Sequence, residues 1–224
     1  MTGLKICGLQ PGDDLSFAVN PVVTHTGMVF ASRSRRYVAP AEARALSKRL
    51  RTHTTVMGVF VNASLDELLS VSATAGLDGV QLHGSESSEL CQKLREKGLV
   101  VWKALSVPRD NHDIPEFAHK VLAYQGVVDA VLLDAPPPKD ADSQVTGGHG
   151  VAFDWRDLEV LTRELTTPWP PIWVAGGVTP DNVGLLFDTF SPAGIDVSSG
   201  VEVSGRKSAQ RIYALMEAVS HYAG

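Results

Sequence analysis

The chain reads as a single (β/α)8 TIM barrel spanning residues 1–224. Short apolar runs occur eight times, each followed by a glycine or polar turn and then by a stretch of helical periodicity. The runs are almost continuously apolar, as strands covered on both faces must be. Eight such units in 224 residues average 28 residues each, close to the length per unit of a closed barrel of about 250 residues. A doubly wound open sheet also uses parallel strands, but it rarely needs eight consecutive units, and no Gly-x-Gly-x-x-Gly follows the first run.

The first strand is LKIC (4–7). Pro21 interrupts the region after it, so the first helix is expected to be short or irregular. TGMVFA (26–31) and TVMGVFV (55–61) are the second and third strands, and Ser64 with Glu67 forms a capping box for the helix that follows. DGVQLH (78–83) leads to a helix beginning near Ser85, which Gly98 can end. LVVWKAL (99–105) and DAVLLD (129–134) are the fifth and sixth strands. The segment after the sixth, APPPKDADSQVTGGHG (135–150), is too long and too rich in proline and glycine for a routine connection, and long βα loops are usually functional. After PIWVAGG (171–177), Thr179 and Pro180 read as the N-cap and first position of a helix with apolar residues Val183, Leu186, Phe187 and Phe190. GIDVSS (194–199) precedes the last helix, whose apolar face is Ile212, Leu215, Met216 and Val219 and whose capping residue is Ser208.

Twenty basic and 25 acidic side chains give a net charge of -5, with no basic run long enough to serve as a nucleic-acid footprint. Nucleic acid and other polyanions are therefore not expected partners. The opening lacks the pattern of a secretory leader and no apolar span reaches about 18 residues, so a soluble cytoplasmic protein without a membrane partner is expected. Cys7 and Cys91 are far apart and lack Cys-x-x-Cys spacing; both are expected to be reduced thiols. His25, His53, His112, His119, His149 and His221 show no ligand spacing, and no metal is assigned.

In a barrel the loops after the strands share one face, where active sites are built. Strand ends in this chain are polar: Cys7 ends the first run, Arg36 follows the second, His83 ends the fourth, Asp134 the sixth, and Asp196 with Ser198 and Ser199 the eighth. Glycine-rich stretches at 147–150, at Gly176 and Gly177, and at Gly200 leave backbone amides open. The pair after strands seven and eight, Gly176 and Gly177 with Ser198, Ser199 and Gly200, therefore reads as a phosphate site. Lys5 points the same way as Cys7 because side chains alternate along a strand. Inside the barrel Lys5 would need a partner, and Asp196 on the neighbouring eighth strand is the candidate counterion. Such a cation would also help Cys7 to form its thiolate. Cys91, in SSELCQKL, is read as a small buried hydrophobe.

KICG (5–8), SRSRRYV (32–38), GVFVN (58–62), QLHG (81–84), LLD (132–134), GGHG…FDW (147–155), AGGVTPDNV (175–183) and DVSSGVE (196–202) together resemble the phosphoribosylanthranilate isomerase family of tryptophan biosynthesis. The resemblance implies an Amadori rearrangement of N-(5'-phosphoribosyl)anthranilate without metal or organic cofactor. It further implies Cys7 as general base and Asp134 as general acid, the latter holding its proton in the reacting form. Arg36 would hold the anthranilate carboxylate, while His83 either touches the substrate or packs at the strand end. Lys5 and Asp196 join the substrate-side set through their pairing. Where the family usually has Gly-Ala-Asp just before strand two, this chain has VTHTG (23–27), and Ser208 replaces the usual acidic residue.

Three other readings stay open in the sequence: the related isomerase of histidine biosynthesis, which uses an aspartate in place of Cys7; a non-catalytic phosphometabolite-binding barrel; and nucleophilic catalysis by Cys7 with His83 in reach. The expected partner is a small-molecule substrate, and the expected assembly a monomer or homodimer.

Overall fold

The computed structural model describes residues 2–136, 153–165 and 168–222. The glycines of 147–150, and the expected long loop from residue 137, lie outside the described residues.

Eight parallel strands close in chain order: β1 (Gly3–Ile6), β2 (Val23–Val29), β3 (Thr55–Phe60), β4 (Gly79–Leu82), β5 (Val100–Ser106), β6 (Ala130–Asp134), β7 (Ile172–Val174) and β8 (Gly194–Val197). β8 pairs back onto β1, with Lys5 opposite Asp196. Helices α1 (Pro40–Leu50), α2 (Leu65–Ala75), α3 (Ser88–Glu96), α4 (Ile114–Leu122), α5 (Asp157–Glu164), α6 (Val183–Thr189) and α7 (Ala209–Tyr222) follow β2 to β8. As expected from Pro21, only a 3-10 turn, Ser16–Val19, stands between β1 and β2; it buries Phe17 and Ala18. Between β8 and α7 a tight hairpin, β9 (Glu202–Val203) and β10 (Arg206–Lys207), turns through Ser204 and Gly205, both at positive φ.

Alternation sorts the strands. Leu4 and Ile6 face outward into the core shared with the helices, alongside Leu82, Val131, Leu94 and Ile212, whereas Lys5 and Cys7 face the lumen. The lumen floor is aromatic: Trp102, Trp173 and His25 meet with ring centroids 4.4 to 4.9 Å apart. Gly3 and Gly194 admit them, since a Cβ on Gly3 would lie 2.8 Å from the Trp173 ring and one on Gly194 would collide with it.

Several expectations on boundaries are corrected. β2 begins at Val23, so VTHTG lies inside the strand; Thr26 is buried against the Thr54 hydroxyl at 2.9 Å and His25 packs on the tryptophans. α3 starts at Ser88, capped by the Ser87 hydroxyl accepting from the Leu90 amide, rather than near Ser85. Thr179 does not cap α6. The Asn182 side chain accepts from the Thr179 amide at 2.8 Å and donates to the Gly177 carbonyl at 2.9 Å, closing a turn that delays the helix to Val183. Ser64 caps α2 through the Glu67 amide, and the Ser208 hydroxyl accepts from Arg211 at the start of α7. Cys91 is fully buried in the outer core, and burial pushes its thiol up to about 11. No described helix is long and apolar enough to cross a membrane.

Candidate active site

Cys7 follows β1 directly, its amide donating to the Val197 carbonyl at 2.9 Å, and the residue is only 6% exposed. Its neighbour on the adjacent strand β2 is Gly27, where a Cβ would lie 2.8 Å from Cys7 Sγ and 3.3 Å from Lys5 Nζ. Lys5 is fully buried and donates to Asp196 Oδ2 at 2.9 Å and Gln81 Oε1 at 2.7 Å. Burial works against the Lys5 charge, but its pairing with Asp196 outweighs it and holds the ammonium above its ordinary range. The thiol is different. Burial pushes Cys7 up and Asp196 adds to that, and the opposing pull of Lys5 and Lys207 is not enough to bring it back. As expected, Lys5 favours the thiolate, but burial and the Asp196 carboxylate that pairs with Lys5 outweigh it and hold the thiol above its ordinary range.

Asp134 ends β6, buried, with Oδ1 accepting from the Ala135 amide at 2.9 Å and Oδ2 3.2 Å from His83 Nε2. His83 sits one residue past β4, its amide N–H donating to the Phe60 carbonyl at 2.8 Å. It therefore partners the carboxyl group rather than Cys7, which removes the nucleophile-and-histidine arrangement. Gly176, at φ +80°, packs the loop after β7 against the end of β6: a Cβ there would lie 2.6 Å from the Ala135 amide nitrogen and 3.0 Å from Asp134 Oδ1.

Arg36 is buried while Arg35 beside it is half exposed. Its Nε and Nη2 donate to the two carboxylate oxygens of Glu202 at 2.7 and 3.0 Å. Glu202 also accepts from Arg35 at 2.7 Å and from Lys207 at 2.8 Å. Burial alone would raise the Glu202 carboxyl, but its bonds to Arg36 and Lys207 bring it down to about 2. Lys207 Nζ reaches further, to the Ser198 carbonyl at 3.0 Å and hydroxyl at 3.3 Å. Gly200 approaches the Val178 carbonyl so closely that a Cβ would collide with it, which packs the loops of β7 and β8 together. Gly176, Gly177, Ser198, Ser199 and Gly200 thus share one edge of the barrel mouth.

Strand order adds an arrangement that no single motif carries. β7 and β8 lie between β6 and β1, so the small-residue loops separate the Asp134 carboxyl from the Cys7 thiol, with Arg36 beyond Cys7 after β2. Sequence reasoning missed Glu202, Lys207 and Gln81 as site residues. Glu202 and Gln81 stood inside quoted motifs without a role, and Lys207 had no local signal because its partners are set by the hairpin register.

The sequence profile of the N-(5'-phosphoribosyl)anthranilate (PRA) isomerase family matches residues 4–218. An N-(5'-phosphoribosyl)anthranilate isomerase from Brevibacillus brevis is 38% identical over 220 residues, covering 98% of this chain and 94% of the relative. One from Moorella thermoacetica is also 38% identical, over 98% of this chain and 90% of the relative. Among solved structures, phosphoribosylanthranilate isomerase from Thermotoga maritima, described as mutually generated monomers of a dimeric protein, superposes with a TM-score of 0.79 at 31% identity, covering 99% of this chain and all of that one. A phosphoribosylanthranilate isomerase in complex with reduced 1-(o-carboxyphenylamino)-1-deoxyribulose 5-phosphate superposes with a TM-score of 0.78 at 30% identity, with the same coverage. By the profile match and by relatives that run along nearly its whole length, the chain belongs to the N-(5'-phosphoribosyl)anthranilate isomerase family.

Proposed function

We propose that this isomerase of tryptophan biosynthesis converts N-(5'-phosphoribosyl)anthranilate to 1-(2-carboxyphenylamino)-1-deoxyribulose 5-phosphate with Asp134 as acid and Cys7 as base. The carboxyl proton of Asp134 passes to the furanose ring oxygen while the anthranilate nitrogen lone pair expels it, leaving an open-chain iminium. The Cys7 thiolate then takes the C2' proton, the C2'–H electrons neutralise the iminium as an enolamine, and tautomerisation gives the ketone. Because Cys7 rests as a thiol, its proton leaves to solvent before that transfer; sulfur regains one from C2', and the Asp134 carboxylate takes the released proton back from solvent before the next turnover. A thiol that rests protonated fits this order, because the iminium brings a positive charge beside it only after the ring has opened. Each positioned group contributes about 10²- to 10⁴-fold.

The observation that carries the reading is the strand order: a phosphate held by Gly176, Gly177, Ser198, Ser199 and Gly200 on β7 and β8 sets the ribose between Asp134 and Cys7. Arg36, whose Nε and Nη2 face Glu202, meets the anthranilate carboxylate through Nη1. His83 orients the acid. Asp196 Oδ1, buried and without a hydrogen-bond partner among the described residues, accepts from a ribose hydroxyl, and Lys5 beneath it holds the carboxylate in place. Residues 1–224 act as one catalytic domain in the cytoplasm, consistent with two unpaired cysteines, and as a monomer or homodimer, which sedimentation distinguishes.

The test is a fluorescence assay following consumption of freshly made phosphoribosylanthranilate. Cys7→Ala and Asp134→Asn should each lose at least about 10²-fold in kcat with unchanged circular dichroism and product affinity. Near-normal turnover in either variant refutes the corresponding role.

A further inference from the structure

Resting on the reading just given, we propose that Lys207 is a positioning residue of the reaction: its ammonium ties the phosphate loop at Ser198 to the Arg36 clamp through Glu202. Lys207 belongs to the short hairpin outside the barrel, yet its side chain is only 2% exposed. A buried ammonium on a two-stranded ribbon needs partners, and those of Lys207 belong to the two ends of the substrate. It donates to the Ser198 carbonyl and hydroxyl at 3.0 and 3.3 Å, and to Glu202 Oε1 at 2.8 Å. Glu202 passes the constraint on by gripping Arg36 in two places.

Gly8 stands where these groups meet. Residue 8 follows the thiol directly, and a Cβ on it would lie 2.5 Å from Arg36 Cδ and 2.9 Å from Ser198 Oγ. The anion loop, the carboxylate clamp and the base are thus packed around one backbone atom, with Lys207 closing the ring. The hairpin register makes this placement specific, since Lys207 lies directly across from Glu202.

The charges facing Cys7 are Lys5 on its own strand, Asp196 on β8 and Lys207 on β10; Arg36 and Glu202 lie behind Lys207, and His25 on β2 lies near Lys5. Lys207 favours the thiolate and Glu202 offsets Lys207. Removing one or the other should therefore move the thiol in opposite directions, which a purely structural role would not do.

The experiment measures the pH midpoint of Cys7 alkylation by iodoacetamide, read on the Cys7 peptide by mass spectrometry, together with KM, kcat and competitive inhibition by inorganic phosphate. In Lys207→Met the midpoint should rise by half a unit or more, and KM and the phosphate inhibition constant should rise at least fivefold. In Lys207→Arg the midpoint should return to within a few tenths of the parent value. In Glu202→Gln it should fall, while KM rises because Arg36 loses its grip. Should Lys207→Met fail to fold, the pair Lys207→Arg and Glu202→Gln decides by the same midpoints. An unmoved midpoint and unmoved phosphate inhibition in the folded variants overturn the proposal. The underlying assignment is judged separately, because only active Cys7→Ala or Asp134→Asn enzymes would overturn it.

Discussion

Asp196→Asn tests the buried pair at the centre of the site, because it removes one charge and little volume. Lys5 is fully buried and Asp196 nearly so, with 2.9 Å between Nζ and Oδ2. At an effective dielectric constant of about 20, two unit charges at that distance attract by roughly 6 kcal/mol. The net cost of losing one partner of a buried pair is smaller, about 3–5 kcal/mol, since the pair also repaid desolvation. The Gln81 acceptor at 2.7 Å and the retained amide oxygen of Asn keep Lys5 hydrogen-bonded, which favours the lower end, about 3 kcal/mol. For a chain of this size each kcal/mol shifts the melting temperature by about 2–4 °C, so a fall of about 6–12 °C is expected by calorimetry. The same change should make the thiol more reactive, because Asp196 pushes Cys7 up and Lys5 opposes it. The alkylation midpoint of Cys7 should therefore move down while stability drops. A melting temperature within 2 °C of the parent, together with an unmoved or raised midpoint, would refute the account of Lys5 as a cation neutralised by Asp196.

Arg36→Met should raise KM for phosphoribosylanthranilate far more than it lowers kcat, and an unchanged KM in steady-state kinetics removes the carboxylate clamp. Burial between the tryptophans brings His25 down to about 4 from an ordinary 6.5, so the unfolded chain binds the extra proton and stability falls as pH drops from 6.5 towards 4; His25→Gln should flatten denaturant midpoints across that window. Glu202 contributes in the opposite sense of group but the same direction of pH: its stability is present above about 4.5 and lost as pH falls towards 2, a dependence Glu202→Gln should abolish in acid titrations of the fold. Inorganic phosphate at about 100 times its Kd should add about 2.7 kcal/mol and raise the melting temperature where chloride at equal ionic strength does not, and a bulky residue at Gly177 or Gly200 should cancel the effect.

The strands were legible because a strand buried on both faces must be apolar at nearly every position, and that requirement leaves a local mark. β2 shows the limit. Thr24 and His25, ahead of the run read as strand, are polar, and what holds His25 there is contact with Trp102 and Trp173, both distant in sequence. The cap of α6 failed for a similar reason: Thr179 and Pro180 have the right chemistry for a helix start, but Asn182 three residues on uses both ends of its amide to make a turn instead. Among the site residues, those at strand ends could be named from the chain alone, since the barrel gathers all strand ends on one face. Lys207 and Glu202 could not, because a two-residue hairpin turn decides what they face.

The resting state of Cys7 shows most clearly what a motif leaves unsaid. Lys5 two residues before a cysteine suggests an activated thiolate, and the pairing of β1 with β8 places Lys5 in contact with Asp196 as that argument requires. Lys5 does pull the thiol down, but burial and the Asp196 carboxylate pull harder the other way and hold it above its ordinary range. A protonated base at rest is no obstacle to the rearrangement if the substrate supplies the missing charge. In the proposed mechanism, ring opening at Asp134 would create an iminium near Cys7, so the step that needs the thiolate would be preceded by the step that stabilises it. The strand order fits that proposal, because the loops after β7 and β8 stand between Asp134 and Cys7, where a substrate anchored by its phosphate would reach both.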